Sequence, residues 1–395
     1  MRKLAAVGTV ILVGWISALC QPSQAQAFKV LHNFTNGADG GVPRGGLISD
    51  GQGNLYGTTV NGGAASDGTV FKMDRAGHET VLHSFTAGSD GAGPWGRLLL
   101  SRGSLYGTTF SGGHDSSGTV FRLDADGKMN ILHSFTNSEG VGPTSNVITD
   151  ARGALYGTTS YFGRFNYGTV FKLSPAGKLK VLHSFDGAED GGTSYVGVVR
   201  DAEGNLYGTT TYDARGEGLV FKLDKYGRET VLHAFGADPV PFLKGTYPDS
   251  GLTPDGKGNL YGTAAFGGQF NHGTVFKIDP SGTLTVVYSF QGGADGGSPM
   301  GDLLVDEDGN LYGTTYGYID IHTLQPNYGS VFKIAPDGKE TVLHSFKGGA
   351  DGGHPTGSLV LERRHLYGTT NGFGISPTQI YYGNVYRITL PETDE

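Results

Sequence analysis

Leu55-Tyr56-Gly57-Thr58-Thr59 decides the fold, because it does not stand alone. The same five letters return from Leu105, Leu155, Leu206, Leu311 and Leu366, and a variant, Leu260-Tyr261-Gly262-Thr263-Ala264, fills the remaining place. The spacings are 50, 50, 51, 54, 51 and 55 residues. Self-similarity at such a period marks a chain of stacked supersecondary units. It overrides the two-domain expectation that a 395-residue length would carry, because the copies follow one another without a linker.

Each copy keeps the same neighbours. In the first, residues 47–50 (Leu-Ile-Ser-Asp) precede the motif across a glycine turn. A glycine-rich loop then leads to Gly68-Thr69-Val70-Phe71-Lys72-Met73-Asp74, and an Asp74-x-x-Gly77 turn leads to Glu79-Thr80-Val81-Leu82-His83-Ser84-Phe85. Short β-branched and aromatic runs between Gly/Asp turns read as strands. The pattern predicts four per unit: a over 47–50, b over 54–59, c over 68–74 and d over 79–85. Asp-x-x-Gly suits a hairpin turn closed by a glycine at positive φ. A calcium reading of these turns fails on ligand count. Glycine makes up 69 of the 395 residues, and no glycine-free run beyond residue 27 exceeds 12 residues. Each helical glycine costs roughly 1 kcal/mol relative to alanine, so long helices are excluded.

Leu55 and Tyr56 point to opposite faces of strand b, since side chains alternate. Both are large, so both faces need cover, and radially stacked blades supply it. The seventh copy has strands a, b and c but no d. The missing d-type sequence, Val30-Leu31-His32-Asn33-Phe34, stands ahead of the first complete unit. The expected fold is therefore all-β: a seven-bladed propeller of four-stranded antiparallel blades over residues 28–390, closed by the N-terminal strand completing the last blade. Residues 391–395 form a short tail.

The combination of Leu-Tyr-Gly-Thr-Thr, Gly-Thr-Val-Phe-Lys and Val-Leu-His-Ser-Phe, recurring in that order over residues 28–390, resembles the GloVer tandem repeat of exported bacterial proteins. The resemblance implies export and tandem β repeats, with no activity attached. That family often carries a C-terminal sorting anchor. Thr393-Asp394-Glu395 ends this chain without an apolar tail, so no such anchor is expected.

Residues 1–27 read as a signal peptide. Arg2 and Lys3 give a positive start, residues 4–19 an apolar stretch interrupted by Gly8, Gly14 and Ser17, and Ala25-Gln26-Ala27 a small-x-small cleavage site. An uncleaved anchor is the rival reading. Leu19 argues against a lipid on Cys20, the only cysteine. The expected location is secreted or periplasmic. Without Arg2 and Lys3, 27 basic residues face 37 acidic ones, a net charge of −10. An acidic chain with no basic stripe argues against nucleic acid and, after cleavage, against membrane as partners. A monomer is expected, with a polysaccharide or protein as ligand.

Positions alike in every copy serve the blade. Positions that differ are free for a ligand. The strand-d histidines His32, His83, His133, His183, His233 and His344, with Tyr288 in the remaining blade, belong to the first class. Spread round a ring they cannot share an ion, so they read as structural hydrogen-bonders, with a tuned acid/base role as the alternative. No metal or cofactor set is legible. The second class lies where the d–a and b–c loops share one end of the ring. Just before strand a come Arg44, Trp95, Thr144, Tyr195, Asp249, Met300 and Thr356; two residues on come Gly46, Arg97, Asn146, Gly197, Gly251, Asp302 and Ser358. Longer loops in blades 5–7 add Tyr318, Asp320, His322 and Tyr382.

From these, Arg44, Trp95, Arg97, Tyr195, Asp249, Asp302, Tyr318, Asp320, His322 and Tyr382 are the candidate ligand residues, centred between the channel mouth and blades 5–7. Aromatics beside carboxylates suit sugar rings; packing of the long loops onto the ring explains the same aromatics. The opposite face, built of short turns, is expected to leave little room for a pocket. No catalytic motif is present. The readings are a secreted binding or interaction module that recognises carbohydrate, and an exported polysaccharide lyase or glycoside hydrolase whose site is the channel mouth.

Overall fold

The computed structural model describes residues 27–237, 242–318, 327–372, 375–376 and 379–391. Among them stand seven four-stranded antiparallel sheets, each with strands in the order a-b-c-d. In blade 1 these are Ile48–Ser49, Leu55–Thr59, Thr69–Met73 and Glu79–Ser84. Strand a is shorter than the sequence suggests, pairing through Ile48↔Tyr56 and Ser49↔Leu55. Strand d carries an irregularity against strand c between Val70 and Phe71, repeated in the other blades. A bulge of this kind suits an edge strand at the rim of a propeller.

Blade 7 is completed by the N-terminal strand Ala27–Asn33. It lies beside Asn384–Thr389 in the sheet that also holds Val360–Glu362 and His365–Thr370. The register runs Ala27↔Thr389 through Asn33↔Asn384, and the Phe34 N–H extends it by donating to the Gly383 carbonyl at 3.0 Å. A closed ring leaves no blade with a bare edge towards a missing neighbour.

The core is seven clusters, one at each junction between blades. Leu55 packs with Phe34, Leu47, Phe71, Met73 and Val385 at the 7/1 junction. Tyr56, on the other face, packs against Val70, Phe85, Leu98 and Phe121 at the 1/2 junction. The two faces of strand b thus serve two different neighbours. The motif glycine has a steric reason: a Cβ on Gly57 would stand 2.6 Å from Phe71 Cζ and 3.0 Å from Leu47 Cδ2. The aromatic ring of strand c needs that space, and the same approach recurs at Gly107, Gly157, Gly208, Gly262 and Gly313.

The turn aspartates are explained by the backbone. Asp50 Oδ1 accepts the Gln52 and Asn54 N–H groups, and Oδ2 takes the Asn54 amide at 2.6 Å. Gly77, Gly127 and Gly227 close their turns at φ of 92°, 84° and 89°.

Candidate functional site

The two threonines of the motif do different work. The second ties strand b to strand c: Thr59 Oγ1 and Thr69 Oγ1 lie 2.9 Å apart, and the Thr69 N–H donates to Thr59 Oγ1. The first reaches into the next blade and holds the segment that borders the channel. Thr108 Oγ1 donates to the Ser145 carbonyl at 2.8 Å and Thr158 Oγ1 to that of Val196 at 2.8 Å. Thr209 and Thr263 do the same to Ser250, at 3.0 Å, and Pro299, at 3.2 Å. Thr58 makes a long version to Gly96 at 3.5 Å. In blades 6 and 7 the equivalent hydroxyls, on Thr314 and Thr369, are buried without a partner among the described residues.

The segments held in this way close round one pocket of about 380 Å³ at the channel mouth. All seven residues just before strand a line it: Arg44, Trp95, Thr144, Tyr195, Asp249, Met300 and Thr356. Behind them stand Arg97, Asn146, Asp302 and Ser358, with Tyr161 reaching in from the b–c loop of blade 3. A concave site of this size, with a few converging polar groups, suits a small ligand or one unit of a larger one.

Charge is divided across the mouth. Arg44 and Arg97 come from blades 1 and 2, while Asp249 and Asp302 come from blades 5 and 6, the far side of a seven-membered ring. The Arg44 guanidinium lies over the Trp95 ring, 4.7 Å from its centroid, and the Phe110 ring stacks on Trp95 at 5.1 Å. Trp95 therefore acts as a base that presents Arg44, whose buried Nε has no partner among the described residues. Asp302 Oδ1 accepts the Gly251 N–H at 2.7 Å. Burial pushes the Asp249 carboxyl up to about 6 even though Thr211 Oγ1 donates to its Oδ1 at 2.7 Å. The Tyr161 and Tyr195 hydroxyls meet at 2.9 Å, and burial followed by that contact raises the Tyr195 phenol.

A family model, described as the Gloeobacter/Verrucomicrobia repeat, matches residues 19–214 and 214–394. The chain belongs to the Gloeobacter/Verrucomicrobia repeat family. No curated protein matches it. Among solved structures it is similar to a gluconolactonase from Xanthomonas campestris, with 14% identity over 95% of this chain and 93% of that chain, at a TM-score of 0.48. It is also similar to a luciferin-regenerating enzyme, with 12% identity over 92% and 95% and a TM-score of 0.45. At such identity the likeness concerns fold alone.

In this family member six of the ten candidate residues, Arg44, Trp95, Arg97, Tyr195, Asp249 and Asp302, meet in the mouth. Tyr318 does not. Its hydroxyl accepts the Gly293 N–H at 2.6 Å and its ring packs on His272 at 4.6 Å. Nor does Tyr382, whose ring joins the 7/1 core and whose carbonyl accepts the Val42 N–H at 2.7 Å. Asp320 and His322 lie outside the described residues. The long-loop aromatics fold back onto the ring: Tyr316 packs on His354 at 4.6 Å and Tyr247 on Phe266 at 5.7 Å. The mouth is consequently drawn from all seven blades and is not centred on blades 5–7.

Tyr161 was missed by the sequence reading. The signal for it was present, since its equivalents in the other blades, such as Asn61, Ser111 and Phe266, vary as much as the mouth positions do.

The turn face is not pocketless either. A groove of about 940 Å³ runs between blades 6 and 7, bordered by Asp306, Tyr312, Lys333 and Arg363, and another of about 490 Å³ lies between blades 4 and 5. Twisted blades splay apart at their edges, so valleys form even between short turns. Both valleys are lined by turn residues together with strand residues of the repeated pattern. Five of the six strand-d histidines are hydrogen-bonders, as expected: His32 pairs with Asp39, His83 with Asp90, His133 with Glu139, His183 with Asp190 and His344 with Asp351.

Proposed function

We propose that this chain is an exported binding module whose channel mouth takes an acidic, hydroxyl-rich carbohydrate. The observation that carries the reading is the convergence of seven residues of six different types, one from each of seven near-copied blades, on one pocket. The chemistry of those residues supports the class. Arg44 and Arg97 offer charge-assisted donors for a carboxylate. Asp249, Asp302, Asn146 and Tyr195 offer acceptors and donors for hydroxyls on the facing side. Export, by the signal peptide of residues 1–27, would place the module where such polymers occur.

A second reading has one observation in its favour. A carboxyl held near 6, as on Asp249, is poised to give or take a proton near neutral pH, which a lyase or hydrolase needs. One experiment tests both. The purified protein is incubated with uronate-containing and neutral polysaccharides, scored for binding and for release of shorter products. Retention of uronate polymers without product supports the module. Product release supports the enzyme. Equal indifference to every polymer overturns both.

A further inference from the structure

The rim of the ring carries a second departure from repetition. The first residue of strand d in blades 1 and 4, Glu79 and Glu229, lies near the preceding junction, where a histidine meets an acidic residue of the d–a loop. At three junctions a threonine completes the arrangement: the Thr35, Thr86 and Thr136 hydroxyls donate to Asp39, Asp90 and Glu139. At the junction of blades 3 and 4 that threonine is replaced by Asp186, and Glu229 closes in from the next strand d.

We propose that His183, Asp190 and Glu229, assisted by Asp186, form a binding site for a divalent transition-metal ion of the Zn²⁺ class. Among the described residues this is the place where three such donors come together, with one ligand atom from each lying within 4.8 Å of the others. Zinc binds imidazole and carboxylate at about 2.0–2.2 Å, so a modest rotation of the Glu229 side chain closes the set. One imidazole with carboxylates suits zinc and its neighbours better than calcium, which prefers oxygen alone.

Two features of the cluster suit a cation. Glu229 Oε1 is buried with no hydrogen-bond partner among the described residues, as are Glu79 Oε1 and Glu340 Oε1, but of the three only Glu229 stands in a cluster of three donors. Asp186, standing where other blades keep a donor hydroxyl, also sets a second carboxyl beside that of Asp190. His183 Nε2 stands 2.9 Å from Asp190 Oδ2. Ligation uses the tautomer with its proton on Nδ1, which frees the Nε2 lone pair for the ion. The strand-d histidines still share no ion among themselves; this site uses one of them.

The test uses the full secreted chain after chelator treatment. Zn²⁺ titration by calorimetry is expected to give one saturable site, with a raised Tm. Co²⁺ is expected to add visible absorption bands of a site with nitrogen and oxygen ligands. Glu229→Leu and Asp186→Thr carry residues that other blades use at these positions, Leu179 and Thr136 among them, so the fold is spared. Glu229→Leu should abolish the site and Asp186→Thr should weaken it. Glu79→Leu, at the junction that keeps Thr35, should bind Zn²⁺ as wild type does. Independently of any variant, Zn²⁺ must shift the His183 ring signals in an NMR spectrum. No saturable site in the wild type, unshifted His183 signals, or wild-type affinity in Glu229→Leu overturns the proposal.

Discussion

Phe28 lies flat on His344, with ring centroids 3.7 Å apart and planes within 1° of parallel. The first belongs to the opening strand of the chain and the second to strand d of blade 6. The contact therefore ties the start of the chain to its far end, and the same ring also reaches Phe346 and Tyr386.

Closure of the ring should dominate stability. Phe34, at 4% exposure, fills the 7/1 core beside Phe71. Phe34→Ala is expected to cost about 3–5 kcal/mol, the range for emptying a packed phenylalanine site. Chemical denaturation checks it; a loss under about 1 kcal/mol, typical of a surface change, would mean that the opening strand is dispensable.

The motif glycine makes a sharper demand. In Gly57→Ala the new methyl meets Phe71 and Leu47 at distances neither can relieve within a filled core. The expected cost is about 1–3 kcal/mol from overpacking. Gly51→Ala instead faces a positive φ, of 72°, and has open space around it. Its cost should come from backbone strain alone. Measuring both by thermal melts separates packing from conformation.

Stability should peak at mildly acidic pH. Burial, followed by repulsion from Asp39 and Asp295, lifts Glu79 and Glu340 to about 7. The native state then holds these protons more tightly than the unfolded chain, so their contribution is full below about pH 4.5 and is lost as pH rises through 7. The turn residue Asp50 has the opposite sign. Burial alone would raise it, but hydrogen bonds from the Asn54 side chain and the Gln52 and Asn54 backbone hold it below its usual range. Its contribution is present above the ordinary aspartate value and is lost as pH falls through the lowered one. Tm should therefore decline from about pH 5 to pH 8, and Glu79→Gln with Glu340→Gln should flatten that decline. A wild-type Tm that rises across the same interval would refute the assignment.

The mouth should respond selectively. Arg44→Ala and Arg97→Ala are expected to reduce retention of uronate polymers. Tyr318→Phe, which removes a hydroxyl outside the pocket, should leave retention unchanged. An equal loss in all three would place the ligand elsewhere.

The fold was legible because Leu-Tyr-Gly-Thr-Thr repeats and because Val30–Phe34 supplies the strand that the last copy lacks. Arg44, Trp95 and Asp249 were legible as mouth residues because each breaks a pattern that its neighbours keep. Tyr318 and Tyr382 misled for a physical reason: an inserted loop must bury its own aromatics, and the nearest apolar surface is the ring beneath it. The approach of Glu229 to His183 could not be read at all. It depends on the start of one strand d lying against the end of another, a relation between blades that no spacing encodes.

One substitution made at equivalent positions should give opposite results in different blades. Thr108 and Thr158 each hold the mouth segment of the next blade through a 2.8 Å hydrogen bond to a main-chain carbonyl. Thr108→Val and Thr158→Val keep the shape but leave that carbonyl unmet, at a cost of about 1–3 kcal/mol each. Because the Ser145 and Val196 segments carry Thr144 and Tyr195, ligand retention should fall as well, although neither threonine lines the pocket. Thr314 and Thr369 are the same motif residue, but their hydroxyls are buried without a partner among the described residues. Thr314→Val and Thr369→Val replace an unmet polar group by a methyl and should be neutral or stabilising by up to about 1 kcal/mol. Denaturation curves of the four variants decide it. If all four lose stability alike, the threonines act through strand packing and do not hold the mouth.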